Sequence, residues 1–173
     1  HRGPIPLVFT ILQNDIEAGV TLHRMRRDFD KGEIYAQEKF FLTEDTTYVL
    51  LNLKCLKAAL VLLKRFVSEY PNIKCVEQNE LYASYESLKE LDKYVITEET
   101  SLEHFKRIVR AYNDVIPLLC ARDDKVTRVV NFSYLFDNPN FTKLLLKDAI
   151  IFVMEEDWNG DKYAKLLYKL LEN

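Results

Sequence analysis

Two carboxylates and three arginines lie within seven residues of one another: Arg24, Arg26, Arg27, Asp28 and Asp30. Gly32 and Glu33 follow. Apolar runs flank the group, Val20 to Met25 before it and Ile34 to Leu42 after it. Turn residues between two strand-like runs signal a hairpin or a strand–loop–strand unit. A charged loop of this kind is not buried without partners, because an unpaired buried charge is too costly. Asp28 and Asp30 therefore either sit in water, paired with Arg26 or Arg27, or face something specific.

The elements that would position this loop follow from local signals. Pro4 and Pro6 suit the first turn of a helix, where the missing donor costs nothing. Ile5, Val8, Phe9, Leu12 and Ile16 recur at three- and four-residue steps, which predicts an amphipathic helix ending near Asn14. Thr43-Glu44-Asp45-Thr46 carries capping side chains and opens a second helix over about 47–70, stopped by Pro71. Its main face is Val49, Leu50, Leu53, Leu56, Leu60, Leu63 and Val67, with Leu51, Ala58, Ala59, Leu62 and Phe66 widening the stripe. So wide a stripe predicts a helix buried on more than one side.

After Pro71 the chain changes character. Residues 73–76 suit a short strand, and the hydrophilic stretch up to 99, with Tyr82, Tyr85 and Tyr94, reads as a connecting arm. Thr100-Ser101-Leu102-Glu103 has the form of a capping box. Phe105, Ile108, Val109 and Tyr112 then mark an apolar stripe, with Arg107 and Arg110 off it, solvated or facing an anionic ligand. Residues 118–121 and 126–132 suit paired strands, and 144–146 with 149–154 a second hairpin. Turns are expected at 137–140 and 158–161, and a last amphipathic helix at 163–170. Phe132, Tyr134, Phe136 and Phe141 suit a small sheet's core better than base stacking. The expected organisation is α/β, with one unit at 1–75 and a small α+β unit at 76–173.

Composition narrows the functions. The chain has 173 residues with four glycines, and no glycine-rich phosphate loop occurs in it. Residues 1–75 hold 11 Lys and Arg against 9 Asp and Glu, and residues 76–173 hold 13 against 18. The second part is thus net −5, which opposes a nucleic-acid partner. Cys55, Cys75 and Cys120 form no paired motif, and His1, His23 and His104 do not cluster, so neither a disulfide framework nor a metal site is expected. No run of about 18 apolar residues would cross a membrane, and a cytoplasmic protein with reduced thiols is expected.

Arg2-Gly3-Pro4 before a helix, then Gly19-Val20-Thr21-Leu22, then Asp30-Lys31-Gly32-Glu33-Ile34, at this spacing, resembles the formyltransferase family. Members move a formyl group from 10-formyltetrahydrofolate to an amine. The resemblance covers about residues 1–70 and matches the second half of the family's Rossmann-like catalytic domain. It implies that Asp30 is the catalytic carboxylate, and that Arg27, Asp28, Phe29, Arg2 and Gly3 border the folate. It also places an Asn and a His upstream, in an Asn-x-His-Pro-Ser-like motif without a counterpart here. His1 falls at a variable position before Arg-Gly-Pro. Arg26 and Asp28 stand where the family loop often has Asp and Gly. The acidic second part is more like the appendages of nucleotide-sugar N-formyltransferases than a tRNA-binding domain. The resemblance thus implies a nucleotide-linked amine substrate, no metal and a homodimer. The alternatives are a non-catalytic dimerisation or interaction module on the same scaffold, and a methionyl-tRNA formyltransferase-like activity. For a half-domain, an exposed apolar surface on the 47–70 helix, or a dimer hiding it, is expected.

Overall fold

The structure, a computed structural model, describes residues 1–112, 115–122, 124–134 and 139–157. The expected turns at 137–140 and 158–161, Phe136 and the helix at 163–170 lie wholly or partly outside the described residues. Contacts divide the chain into two units, His1–Glu86 and Ser87–Asn173.

In the first unit, helix α1 (Pro6–Leu12) begins on a proline and buries Val8, Phe9, Ile11 and Leu12. Strands β1 (Glu17–His23) and β2 (Ile34–Phe41) pair antiparallel, with Val20 opposite Glu38. Helix α2 (Tyr48–Glu69) starts at Thr47, whose side chain accepts the Leu50 amide, and ends before Pro71. It packs on β1, β2 and α1. Residues 76–86 stay with this unit because Val76 bridges Ile34 and the Arg2 backbone bonds Ser84 and Glu86.

One expectation fails here. Only Leu51, Ala58 and Leu62 of α2 are buried. Val49, Leu50, Leu53, Leu56, Leu60, Leu63 and Val67, read from the sequence as the core-facing side, are each about half exposed or more. The reason is geometric. Two strands about 5 Å apart offer a narrow ribbon, which covers one stripe of a helix and not its whole circumference. The exposed apolar surface expected for this helix is thus present.

In the second unit, α3 (Leu102–Tyr112) lies with a four-stranded antiparallel sheet of order β3-β4-β6-β5: β3 (Leu118–Arg122), β4 (Lys125–Ser133), β5 (Thr142–Leu145) and β6 (Ile150–Asp157). Two side chains cap α3: Ser101 accepts the His104 amide, and Asp148 accepts the Leu102 amide at 2.7 Å. Phe105, Ile108 and Ala111 are buried, as are Cys120, Val129, Leu144, Ile151 and Val153. Phe132 meets Phe105 edge-on at 5.2 Å between centroids and Tyr134 at 5.7 Å, so these rings pack on one another. Arg107 is not solvated as expected. Its Nε is buried without a partner while the other end of the guanidinium bonds Glu103. Burial, then the Arg107 charge, pushes His104 below its ordinary pKa. Burial also pushes the Cys120 thiol up to about 11, which keeps it protonated and unreactive.

Candidate functional site

A cleft of about 530 Å³ runs along β1 in the first unit. That volume is in the range of small-molecule sites. Arg2, Gly3 and Leu7 lie on one side, and Val20, Thr21, His23 and Asp30 on another. Asp30, Arg2 and Gly3 are thus brought to one cavity. Arg27, Asp28 and Phe29 are not on its wall, and Phe29 is almost fully exposed. Among the described residues, no group of three or more His, Cys, Asp and Glu is placed to hold a metal ion.

The loop that carries Asp30 is built by backbone constraints. Asp30 adopts a left-handed conformation, φ 57°, a region in which a short polar side chain is tolerated. Gly32 leaves no room for a side chain: a Cβ there would lie 1.6 Å from the Arg24 carbonyl oxygen. That contact closes the loop, with the Arg24 amide bonded to the Glu33 carbonyl at 2.9 Å. Arg26 does not pair with Asp28 or Asp30. It bonds Glu33 instead, and this holds the Glu33 carboxyl below the usual range.

Sequence reasoning missed three residues of this site. The first is His23, at the end of β1. Its Nδ1 lies 3.0 Å from the Arg24 carbonyl oxygen, so Nδ1 carries a proton there. Its Nε2 then faces Asp30 Oδ1 at 4.0 Å, too far for a direct hydrogen bond. The signal in the sequence was a histidine at a strand end, seven residues before the carboxylate.

The second is Gln78. Its Nε2 donates to the Asp30 carbonyl at 2.9 Å and to the Gly32 carbonyl at 2.6 Å, and its Oε1 accepts from Arg2 at 2.7 Å. One amide therefore ties the Asp30 loop to the Arg2 segment. Gln78→Leu is expected to cost about 1–3 kcal/mol, the usual toll for orphaned polar groups. It should also speed hydrogen exchange at Arg24, whose amide bond closes this loop. Exchange rates equal to the parent's would show that the bridge carries no load.

The third is His1. Its Nδ1 sits 2.8 Å from Glu86 Oε1 and its Nε2 2.6 Å from Asp15 Oδ2. Two carboxylates facing both ring nitrogens require an imidazolium. Burial works against that charge, but the hydrogen bonds and charges of Asp15 and Glu86 outweigh it and raise the His1 pKa. A pKa raised on folding contributes stability that is complete below the unfolded value of about 6.5 and is lost as pH rises through the folded value. The parent should therefore melt above His1→Gln near pH 6, and the gap should close toward pH 9. A gap independent of pH would contradict this.

No family model matches the chain. A methionyl-tRNA formyltransferase from Rickettsia massiliae is 28% identical over 142 residues, which is 82% of this chain and 47% of the relative. Among solved structures, an N-formyltransferase from Helicobacter canadensis, in complex with folinic acid and dTDP-3-aminofucose, superposes with TM-score 0.62 at 21% identity. It covers 90% of this chain and 62% of that one. HypX from Aquifex aeolicus in complex with tetrahydrofolic acid gives TM-score 0.70 at 17% identity, over 99% of this chain and 34% of that one. The chain spans about half the length of the curated relatives it matches. Its fold is a partial formyltransferase fold, and its sequence is similar to those of methionyl-tRNA formyltransferases.

Proposed function

We propose that this chain supplies the Asp30 side of an active site that moves a formyl group from 10-formyltetrahydrofolate to the amine of an amino sugar nucleotide. The observation that carries the reading is the shared cleft of Asp30, His23, Arg2 and Gly3. Formyl transfer forms a bond from the amine nitrogen to the formyl carbon and breaks the bond from that carbon to the folate N10. One proton leaves the amine and one reaches N10. The intermediate oxyanion needs a hydrogen-bond donor, and the two nitrogens need a relay. Asp30 is suited to orient a relay water and to favour a protonated imidazole beside it. By the family resemblance, that imidazole and the oxyanion donor belong to an Asn-x-His-Pro segment. His23 stands behind Asp30 as its positioning residue, and Asp30, Arg2 and Gly3 border the folate.

The amine class rests on two supports. The Helicobacter canadensis neighbour is complexed with a dTDP-amino sugar, and residues 76–173 are net −5, which disfavours a polyanion. One observation favours a tRNA substrate instead: the curated relatives are methionyl-tRNA formyltransferases. Strong, salt-sensitive tRNA binding would decide for it.

A steady-state assay with 10-formyltetrahydrofolate and both amine classes tests the proposal. Residues 1–173 alone are expected to give no turnover above buffer, because they lack the Asn and His. The chain extended upstream by an Asn-x-His-Pro segment is expected to turn over. Turnover by the unextended chain would refute the division of labour.

A further inference from the structure

We infer that Arg2 is an oxyanion subsite of the cleft, and that Glu80 is an internal carboxylate which a substrate oxyanion displaces to reach it. Arg2 is sheltered, with its side chain 17% exposed, whereas Arg24, Arg26 and Arg65 are each more than half exposed. It lines the same cleft as Asp30, and the two charges attract. Its place is set without Glu80. The Arg2 amide donates to the Ser84 carbonyl and its carbonyl accepts the Glu86 amide, both at 3.0 Å. Nη2 donates to Gln78 Oε1 at 2.7 Å, and Gln78 is itself bonded to the Asp30 loop. A planar guanidinium held this way is a pre-set fork for a carboxylate or a phosphate.

Glu80 fills that fork but is not fixed in it. Its two oxygens accept from Nη1 and Nη2 at 2.9 Å each, the paired geometry an oxyanion ligand would copy. Its side chain is 55% exposed and sits on a short turn, Glu80–Tyr82, whose hydrogen bonds are local. Asn79 Oδ1 accepts the Leu81 amide, and the Ala83 amide donates to the Glu80 carbonyl. The turn can therefore swing out with those bonds intact. An ion pair open to water is weak, so an oxyanion whose other groups are anchored in the cleft outcompetes it. This inference rests on the proposed transfer and gives its substrate a polarity. The oxyanion sits at Arg2 and the amine faces Asp30, because a second negative charge beside Asp30 is repelled. Two ligands of the transfer carry such a group: the diphosphate of the amino sugar nucleotide and the glutamyl carboxylates of the folate.

The test titrates the 173-residue chain and its Glu80→Gln variant, read by NMR at the Arg2 side chain and the backbone amides. The probes are thymidine diphosphate, 5-formyltetrahydrofolate and 5-formyltetrahydropteroate, which lacks the glutamate. Glu80→Gln is expected to keep the parent's circular dichroism and to bind about two- to fivefold more tightly, the effect of removing one exposed ion pair. The gain should vanish in the double variant Arg2→Met with Glu80→Gln. A gain for thymidine diphosphate places the diphosphate at Arg2. A gain for the folate and not the pteroate places the glutamyl carboxylate there. Equal affinities of parent and variant for every probe overturn the subsite, as does binding of no probe by either protein. So does a gain that survives without Arg2, or one that the pteroate shares. If thymidine diphosphate shows the gain while 5-formyltetrahydrofolate leaves Asp30 unshifted, the subsite stands and the formyl reading falls.

Discussion

Gly32→Ala is expected to lower stability by about 3–5 kcal/mol, the range reached when a side chain is forced into a site that cannot relax. The atom it would strike is a backbone carbonyl, Arg24 O at 1.6 Å, and not a movable side-chain end. Relief requires the two legs of the loop to part. That breaks the Arg24–Glu33 backbone bond and pulls Gly32 from Gln78. For a unit of this size the melting temperature should fall by roughly 15 °C or more. Alanine at Gly19, whose nearest contact would be the Glu38 carbonyl at 2.7 Å, is the milder comparison. Equal melting of Gly32→Ala and parent would mean that the loop is not closed as described.

Asp30→Asn should do the reverse, sparing the fold and removing the chemistry. Asparagine accepts the left-handed backbone as readily as aspartate. The carboxylate makes one long contact, to His23 at 4.0 Å, so little stability is at stake. In the chain extended to include an Asn-x-His-Pro segment, kcat should fall about 10²–10⁴-fold, the range for losing a positioned acid or base. A change of folate KM larger than the change of kcat would assign Asp30 to binding instead. His23→Gln should lower kcat less, because it acts through Asp30.

How far the sequence carried this account depends on how local each signal was. The β1–β2 pair and the starts of α2 and α3 were readable because their determinants lie within a few residues, although the cap of α2 is Thr47, one residue past the run read as capping. The α2 stripe was readable as a face, but periodicity says which residues share a side and not what covers it. Leu53 and Leu60 look the same in a core and on an exposed face. Gln78 was invisible because it reaches back 46 to 48 residues to the loop it braces. Arg26 had Asp28, Asp30 and Glu33 within reach, and the turn at Gly32 chose Glu33. His1 looked like a variable flank until Asp15 and Glu86 closed on its two nitrogens.

The central claim is that the Asp30 cleft is where the folate and the amine meet. The most direct measurement is an NMR titration of the chain with 5-formyltetrahydrofolate, read at backbone amides. Shifts should cluster at Arg2, Gly3, Val20, His23 and Asp30, and fade when tetrahydrofolate competes. Silence at these amides near millimolar ligand, about −4 kcal/mol of binding, or shifts confined to the Leu118–Asp157 sheet, would contradict it.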